Sequence, residues 1–208
     1  MKDKPLVSII LPTYNNERYL EKSVQSILDQ TYSNFELIII NDCSTDNSNI
    51  ILDSFTDSRI RIINNEINQG LVKSLNIGLE EAKGKYIARM DGDDYCLPNR
   101  LQLEVEFLEN NEDVVLISGS HLSGDIDTTN LKKQYFPTTE NDIKATFLFN
   151  CPFSHITIML RSSIINQHKL KYEESFKYAE DYALWLEISK YGKVCNLPYF
   201  LAKYRVNF

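Results

Sequence analysis

Short apolar runs that end in polar, carboxylate-bearing strings, and that alternate with helix-patterned segments, constrain this chain more than any other feature. Residues 6–11 (LVSIIL) form a continuous apolar run closed by Pro12, as expected of a strand buried on both faces. Asn15 and Asn16 offer caps for a helix whose apolar positions Leu20, Val24, Ile27 and Leu28 recur at helical spacing. A second buried strand is predicted over 35–40 (FELIII), then a helix over about 48–55 and an alternating strand over 59–63. Residues 71–82 read as a helix with Leu71, Leu75 and Leu79 on one face and Gly84 as its stop. A strand over 86–90 follows, then a helix from Pro98, placed in its first turn, to about residue 110, and a strand over 114–117. The second half is less regular: a loop over 123–130, a helix over 142–149, a strand over 156–160, a helix over about 181–191 and a strand over 199–204. Such alternation predicts an α/β fold, with a mostly parallel central sheet covered by helices on both faces.

A chain of 208 residues, 43% hydrophobic, can bury a full core without staples, and no linker or repeat divides it, so one domain over 1–208 is expected. The formal charge of −7 excludes nucleic acid as a natural partner, since binders of a phosphate backbone carry a basic face. A small anionic substrate stays compatible if a cation offsets the repulsion. Cys43, Cys96, Cys151 and Cys195 form no CxxC pair and have no histidine at zinc-ligand spacing, which predicts free thiols in a reducing compartment. The first apolar run is too short for a signal peptide or a membrane span, so a cytoplasmic protein is expected, with peripheral attachment to the inner membrane face left open.

In open α/β sheets, ligands bind beyond the carboxyl ends of the strands. Three polar strings fall there: Pro12-Thr13-Tyr14-Asn15, Asn41-Asp42 and Asp91-Gly92-Asp93-Asp94. Carboxylates gathered at a strand end suit a hard divalent cation, and magnesium takes one or two of them beside water and substrate phosphates. Asp91 and Asp93 fit that role; the plain alternative is a solvated acidic turn. An EF-hand is a poor match, because its glycine and bidentate glutamate positions hold Cys96 and Gln102. GxGxxG and GxxxxGK[ST] are both missing, so phosphate binding has to come from elsewhere, and the cation is the natural candidate.

The string VSIILPTYNNERYLEKSVQSILDQTYSNFELIIINDCSTDNS resembles the opening of family 2 glycosyltransferases, which pair a PTYN strand end with an NDxSxD loop. NQGLVKSLNIGLEEAKGKYIARMDGDD continues the pattern into a DxD loop, and CPFSHITIMLR and Glu180-Asp181 resemble later landmarks. The resemblance implies a GT-A fold, a nucleoside-diphosphate sugar donor (usually UDP), Mn2+ or Mg2+, and inversion at the anomeric carbon. It divides the chain into a nucleotide-binding half, 1–117, and an acceptor-side half, 118–208. It implies that Pro12, Thr13 and Tyr14 line the base pocket, that Asp42 hydrogen-bonds the base, and that Asp91 and Asp93 serve the metal and diphosphate, Asp93 contacting the metal. It implies Asp181 as general base, Glu180 as a weaker candidate, and His155 near acceptor or diphosphate, against a core role for that histidine and an N-cap role for Asp181. The acceptor would be a glycan or lipid-linked saccharide. Lys73 and Arg100 are in reach of phosphate or are solvated helix charges, and Trp185 reads as core. The family often carries Tyr-Arg-x-His near the end, whose histidine joins the metal; Tyr204-Arg205-Val206-Asn207 puts asparagine there. A catalytically silent nucleotide-sugar binding domain of a larger assembly is the alternative.

Overall fold

A computed structural model describes residues 4–128 and 130–206; Asn207, the position of the missing family histidine, lies outside them. Nine strands join in one sheet of order β3-β2-β1-β4-β8-β6-β9-β5, with β7 paired to β6. The strands are β1 Val7–Thr13, β2 Phe35–Asn41, β3 Ile60–Asn64, β4 Tyr86–Arg89, β5 Tyr95–Cys96, β6 Val114–Gly124, β7 Lys132–Gln134, β8 Met159–Arg161 and β9 Lys193–Arg205. The long ladders are parallel: β1 with β2 and β4, β2 with β3, and β6 with β9. β8 reverses direction between β4 and β6, and β5 and β7 are also antiparallel.

The apolar runs explain why the sheet is covered on both sides. Side chains alternate across a strand, so Ile9 and Leu11 of β1 and Leu37 and Ile39 of β2 enter one core, while Ile10, Ile38 and Ile40 enter the other. Helices α1 Leu20–Leu28, α2 Ser48–Asp53 and α4 Arg100–Asn110 contribute Leu20, Leu52 and Leu101 to the first. Helices α3 Leu71–Glu81, α5 Glu140–Thr146, α6 Ser162–His168 and α7 Glu180–Ile188 contribute Leu75, Ile143, Ile165 and Trp185 to the second. Gly84 acts differently from the predicted helix stop. Helix α3 ends at Glu81 with Ala82 extended, and a Cβ on Gly84 would stand 2.6 Å from the Ser8 nitrogen and 2.7 Å from the Leu6 carbonyl. It lets the chain pass close against β1, where Ser8 Oγ accepts from the Lys83 and Gly84 N–H groups.

Several predicted boundaries move for identifiable reasons. Asn15 and Asn16 do not cap α1 through their side chains; Tyr19 holds the cap position, and the Asn16 carbonyl accepts from Tyr19 and Leu20. Pro98 precedes α4, its carbonyl bonded to the Thr31 N–H. Of the strand predicted over 156–160, the first part is a 3-10 turn, His155–Thr157, because Thr157 Oγ1 bonds back to the Ser154 and Gly119 carbonyls. Helix α5 starts at Glu140 because Thr139 caps it, accepting from the Asp142 N–H. Strand β6 runs on through His121 and Leu122 into the predicted loop because β9 pairs with it as far as Arg205. No helix among the described residues is long and apolar enough to cross a membrane.

Candidate active site

The carboxyl ends of β1, β2 and β4 open into a cleft of about 420 Å3 that brings together Pro12, Thr13, Tyr14, Asp42, Asp91 and Asp93. Two loops form its wall by mutual hydrogen bonding. Ser44 Oγ accepts from the Asn15 N–H, Ser48 Oγ from Asn16, and Asp46 Oδ2 from Glu17; Asn15 Oδ1 and Glu17 Oε2 accept in return from the Thr45 and Asn47 N–H groups. This is why serine and aspartate recur in the loop after β2: they satisfy the irregular backbone after β1. Asp42 is 4% exposed, and its carboxylate accepts from Asn65 Nδ2 (2.7 Å), the Gln69 N–H (2.9 Å) and the Gly70 N–H (2.8 Å). It thereby fixes the entrance to α3, with lone-pair capacity left on Oδ2. Gly92 is small by necessity, since a Cβ there would stand 2.9 Å from Thr13 Oγ1 and 2.8 Å from Asn16 Nδ2.

Beyond β4, Asp91, Asp93 and Asp94 each place a carboxylate oxygen within 4.8 Å of the others. Burial, and then the Asp91 charge, raise the proton affinity of Asp93, and the same causes push Asp94 up to about 8. With Asp94 buried and Asp91 and Asp93 half-buried, three anions this close need compensating charge, part of which Arg89 supplies to Asp91. Asp94 is 1% exposed; Oδ1 accepts from the Arg205 N–H at 2.7 Å, while Oδ2 has no hydrogen-bond partner among the described residues. A buried acceptor left open beside two further carboxylates fits an oxygen-seeking divalent cation. Asp91 is bound differently. The buried Arg89 grips it bidentately, Nη1 at 2.6 Å from Oδ2 and Nη2 on Oδ1. Asp93 and Asp94 are therefore the carboxylates freer to ligate.

A second cavity, about 360 Å3, begins on the other side of Asp91 and is lined by Arg89, His121, His155 and Tyr204 among others. Asp181, in the first turn of α7 where Ala179 holds the cap position, does not line either cavity but approaches His155 of this one; Oδ1 accepts from the Tyr182 N–H, and Oδ2 lies 3.9 Å from His155 Nδ1. Burial and the neighbouring Glu180 raise the Asp181 carboxyl's proton affinity. His155 packs against Trp185 and Tyr172, with Nε2 3.2 Å from the Tyr172 hydroxyl. Burial and then Arg89 hold it well below the ordinary histidine range, so it is neutral. It borders the cavity and the aromatic core at once. Trp185 is fully buried, as its neighbours predict. Arg100 is neither solvated nor near phosphate: it is 1% exposed, pairs with Glu104, and donates from Nη2 to the Arg89 and Ile158 carbonyls. Lys73 stays at the surface, 3.9 Å from Glu174.

Three residues of the candidate site were given no role from the sequence. Asp94 stood in the DGDD string and was legible there. Arg205 stood in the Tyr204-Arg205-Val206-Asn207 string, where only the last position drew attention, and Arg89 carried no signal, because its contact depends on what the fold sets against it.

The profile described as Glycosyl transferase family 2 matches residues 8–168. A glycosyltransferase of Haemophilus influenzae is 39% identical over 220 residues, covering all of this chain and 67% of its own length. The Escherichia coli UDP-Glc:alpha-D-GlcNAc-diphosphoundecaprenol beta-1,3-glucosyltransferase WfgD is 32% identical over 207 residues, covering 99% of this chain and 79% of its own. An S. aureus TarS fragment superposes with a TM-score of 0.79 at 20% identity, over 96% of this chain, and this chain spans 60% of the fragment's length. The same fragment has been crystallised with UDP and with UDP-GlcNAc. With the sheet, the cleft and these relatives together, the chain belongs to the family 2 glycosyltransferases and has their GT-A fold.

Proposed function

We propose that this chain is an inverting glycosyltransferase that moves a sugar from a nucleoside-diphosphate sugar, a UDP-sugar by preference, to a hydroxyl of a glycan or lipid-linked saccharide. The observation that carries this reading is the convergence of Asp91, Asp93 and Asp94, the first two lining the cleft, with Asp94 Oδ2 buried behind them and unpartnered among the described residues. The nucleoside lies along Pro12, Thr13 and Tyr14, with the remaining Oδ2 lone pair of Asp42 available to a base N–H. Residues 1–117 supply this half of the site, and 118–208 the acceptor side. A relative that acts on a diphosphoundecaprenol-linked sugar and a structural neighbour crystallised with UDP and UDP-GlcNAc support both the donor and the acceptor class. A lipid-linked acceptor would bring the protein to the membrane surface as a peripheral enzyme.

Asp93 and Asp94 would hold Mn2+ or Mg2+, which supplies neutralising charge for the departing diphosphate. Arg89 holds Asp91 in orientation between the two cavities through its bidentate contact. Asp181 accepts the proton of the acceptor hydroxyl as its oxygen attacks the anomeric carbon and the bond to the diphosphate breaks. Burial, and to a lesser degree the like charge of Glu180, raise the basicity of Asp181. His155, neutral and tied to Tyr172, shapes the wall against which the acceptor is placed.

The test is transfer and donor hydrolysis by wild type and Asp181→Asn, beside calorimetric binding of UDP with Mn2+. The variant should lose roughly 10²- to 10⁴-fold in turnover while UDP affinity stays within a few-fold. Unchanged turnover would remove Asp181 from the chemistry. A wild type that binds UDP yet turns over no donor, across a broad set of acceptors, would instead indicate a silent binding domain.

A further inference from the structure

Arg205 stands at the end of β9, 111 residues along the chain from Asp94, yet touches the acidic loop at two points. Its backbone N–H donates to Asp94 Oδ1 at 2.7 Å, and its Nε donates to the Asp93 carbonyl at 2.9 Å. The side chain is only 3% exposed. The guanidinium lies 3.8 Å from the centroid of the Tyr19 ring, at the start of α1. From the same helix the buried Ser23 hydroxyl donates to the Asp91 carbonyl at 2.8 Å. Alternate carbonyls of the loop, those of 91 and 93, are thus each held by a buried side-chain donor. Asp94 Oδ1 is held by the Arg205 N–H, which leaves Oδ2 as the oxygen without a partner among the described residues.

We infer that Arg205 is a positioning residue for the cation: it sets the affinity of Asp93 and Asp94 for a divalent metal without touching the metal itself. This rests on the functional reading above. The guanidinium suits the task because it is planar and permanently charged, so it can stack on Tyr19 while donating in a fixed direction to the Asp93 carbonyl. A lysine would keep the charge and lose the direction. The outer contacts of Arg205, 3.2 Å to Asp127 and 3.7 Å to Asp125, involve half-exposed carboxylates and add little.

The experiment is a Mn2+ titration of the full chain with UDP present, followed by the electron paramagnetic resonance of free Mn2+, for wild type, Arg205→Lys, Arg205→Gln and Asp127→Asn. Melting without metal is recorded in parallel, so that affinities are compared among folded proteins. Arg205→Gln should weaken Mn2+ roughly tenfold, the loss of about one charge-assisted hydrogen bond. Arg205→Lys should fall between it and wild type, and Asp127→Asn should stay within twofold of wild type. In turnover, the Mn2+ concentration for half-maximal rate should rise in both arginine variants, while the rate at saturating Mn2+ recovers. A purely structural role would lower melting and leave the Mn2+ affinity of the folded protein unchanged. Equal Mn2+ affinity in wild type and Arg205→Lys, or in wild type and a folded Arg205→Gln, overturns the inference and leaves the proposed function standing. A wild type that binds no Mn2+ overturns both.

Discussion

Asp181 illustrates what a desolvated carboxyl costs in stability. Its proton affinity is raised above the ordinary carboxylate value of 3.8 by burial and by Glu180. The folded state then binds the proton more tightly than the unfolded state, so Asp181 lowers stability progressively as pH rises above 3.8, and fully once the folded carboxyl has ionised. Asp181→Asn should therefore melt above wild type at pH 7, and that advantage should vanish below about pH 3.8, where both states carry the proton. Differential scanning calorimetry across pH checks it; an Asn variant that melts lower than wild type at pH 7 would contradict a desolvated carboxylate. The acid limb of the pH–rate profile should likewise lie above the ordinary carboxylate range. Asp42, Asp91, Asp93 and Asp181 were legible as residues because each ends a strand or opens a helix in a short, recognisable string. Their partners were not. Nothing near Asp91 in the sequence distinguishes Arg89 from a surface arginine, and only the fold reveals that it is buried against that carboxylate.

Elements were legible where one segment carries its own pattern. The runs that became β1 and β2 are apolar at every position but one or two, and α3 shows its stripe without help. Strands β5 and β7 have two and three residues and no period to read. Strand β9 spans 13 residues, contains Pro198 and is interrupted by register shifts, so its length comes from β6 rather than from itself. The close passage of the segment after α3 against β1 depends on a single missing side chain. Gly84→Ala would press a methyl onto backbone atoms of residues 6, 8 and 86, which cannot swing aside as a side chain can. It should cost about 2–3 kcal/mol in urea denaturation. A loss under 0.5 kcal/mol would mean that the segment has room to retreat.

At the scale of the whole molecule, ligand binding should register as global stability. If a nucleotide and a cation occupy the cleft together, UDP at about 100 times its dissociation constant adds about 2.7 kcal/mol, or roughly 5–10 °C in melting temperature for a chain of this size. The shift should be much smaller with UDP alone or Mn2+ alone; a full shift with UDP in chelator would contradict cation-mediated binding. The surplus of acidic side chains gives the same expectation, since an anionic protein meets an anionic ligand through a counter-charge.

The bond from the Arg205 nitrogen to Asp94 also orders events during biosynthesis. A nascent chain can expose β1, β2, α3 and the acidic loop to water long before β9 leaves the ribosome, because the two ends of that bond are 111 residues apart. Until then Asp94 lacks the donor that orients it. The wall made by the loops after β1 and β2 is complete early, and the acidic loop acquires its final geometry only when β9 docks, so a chain stalled before residue 205 would carry the first without the second.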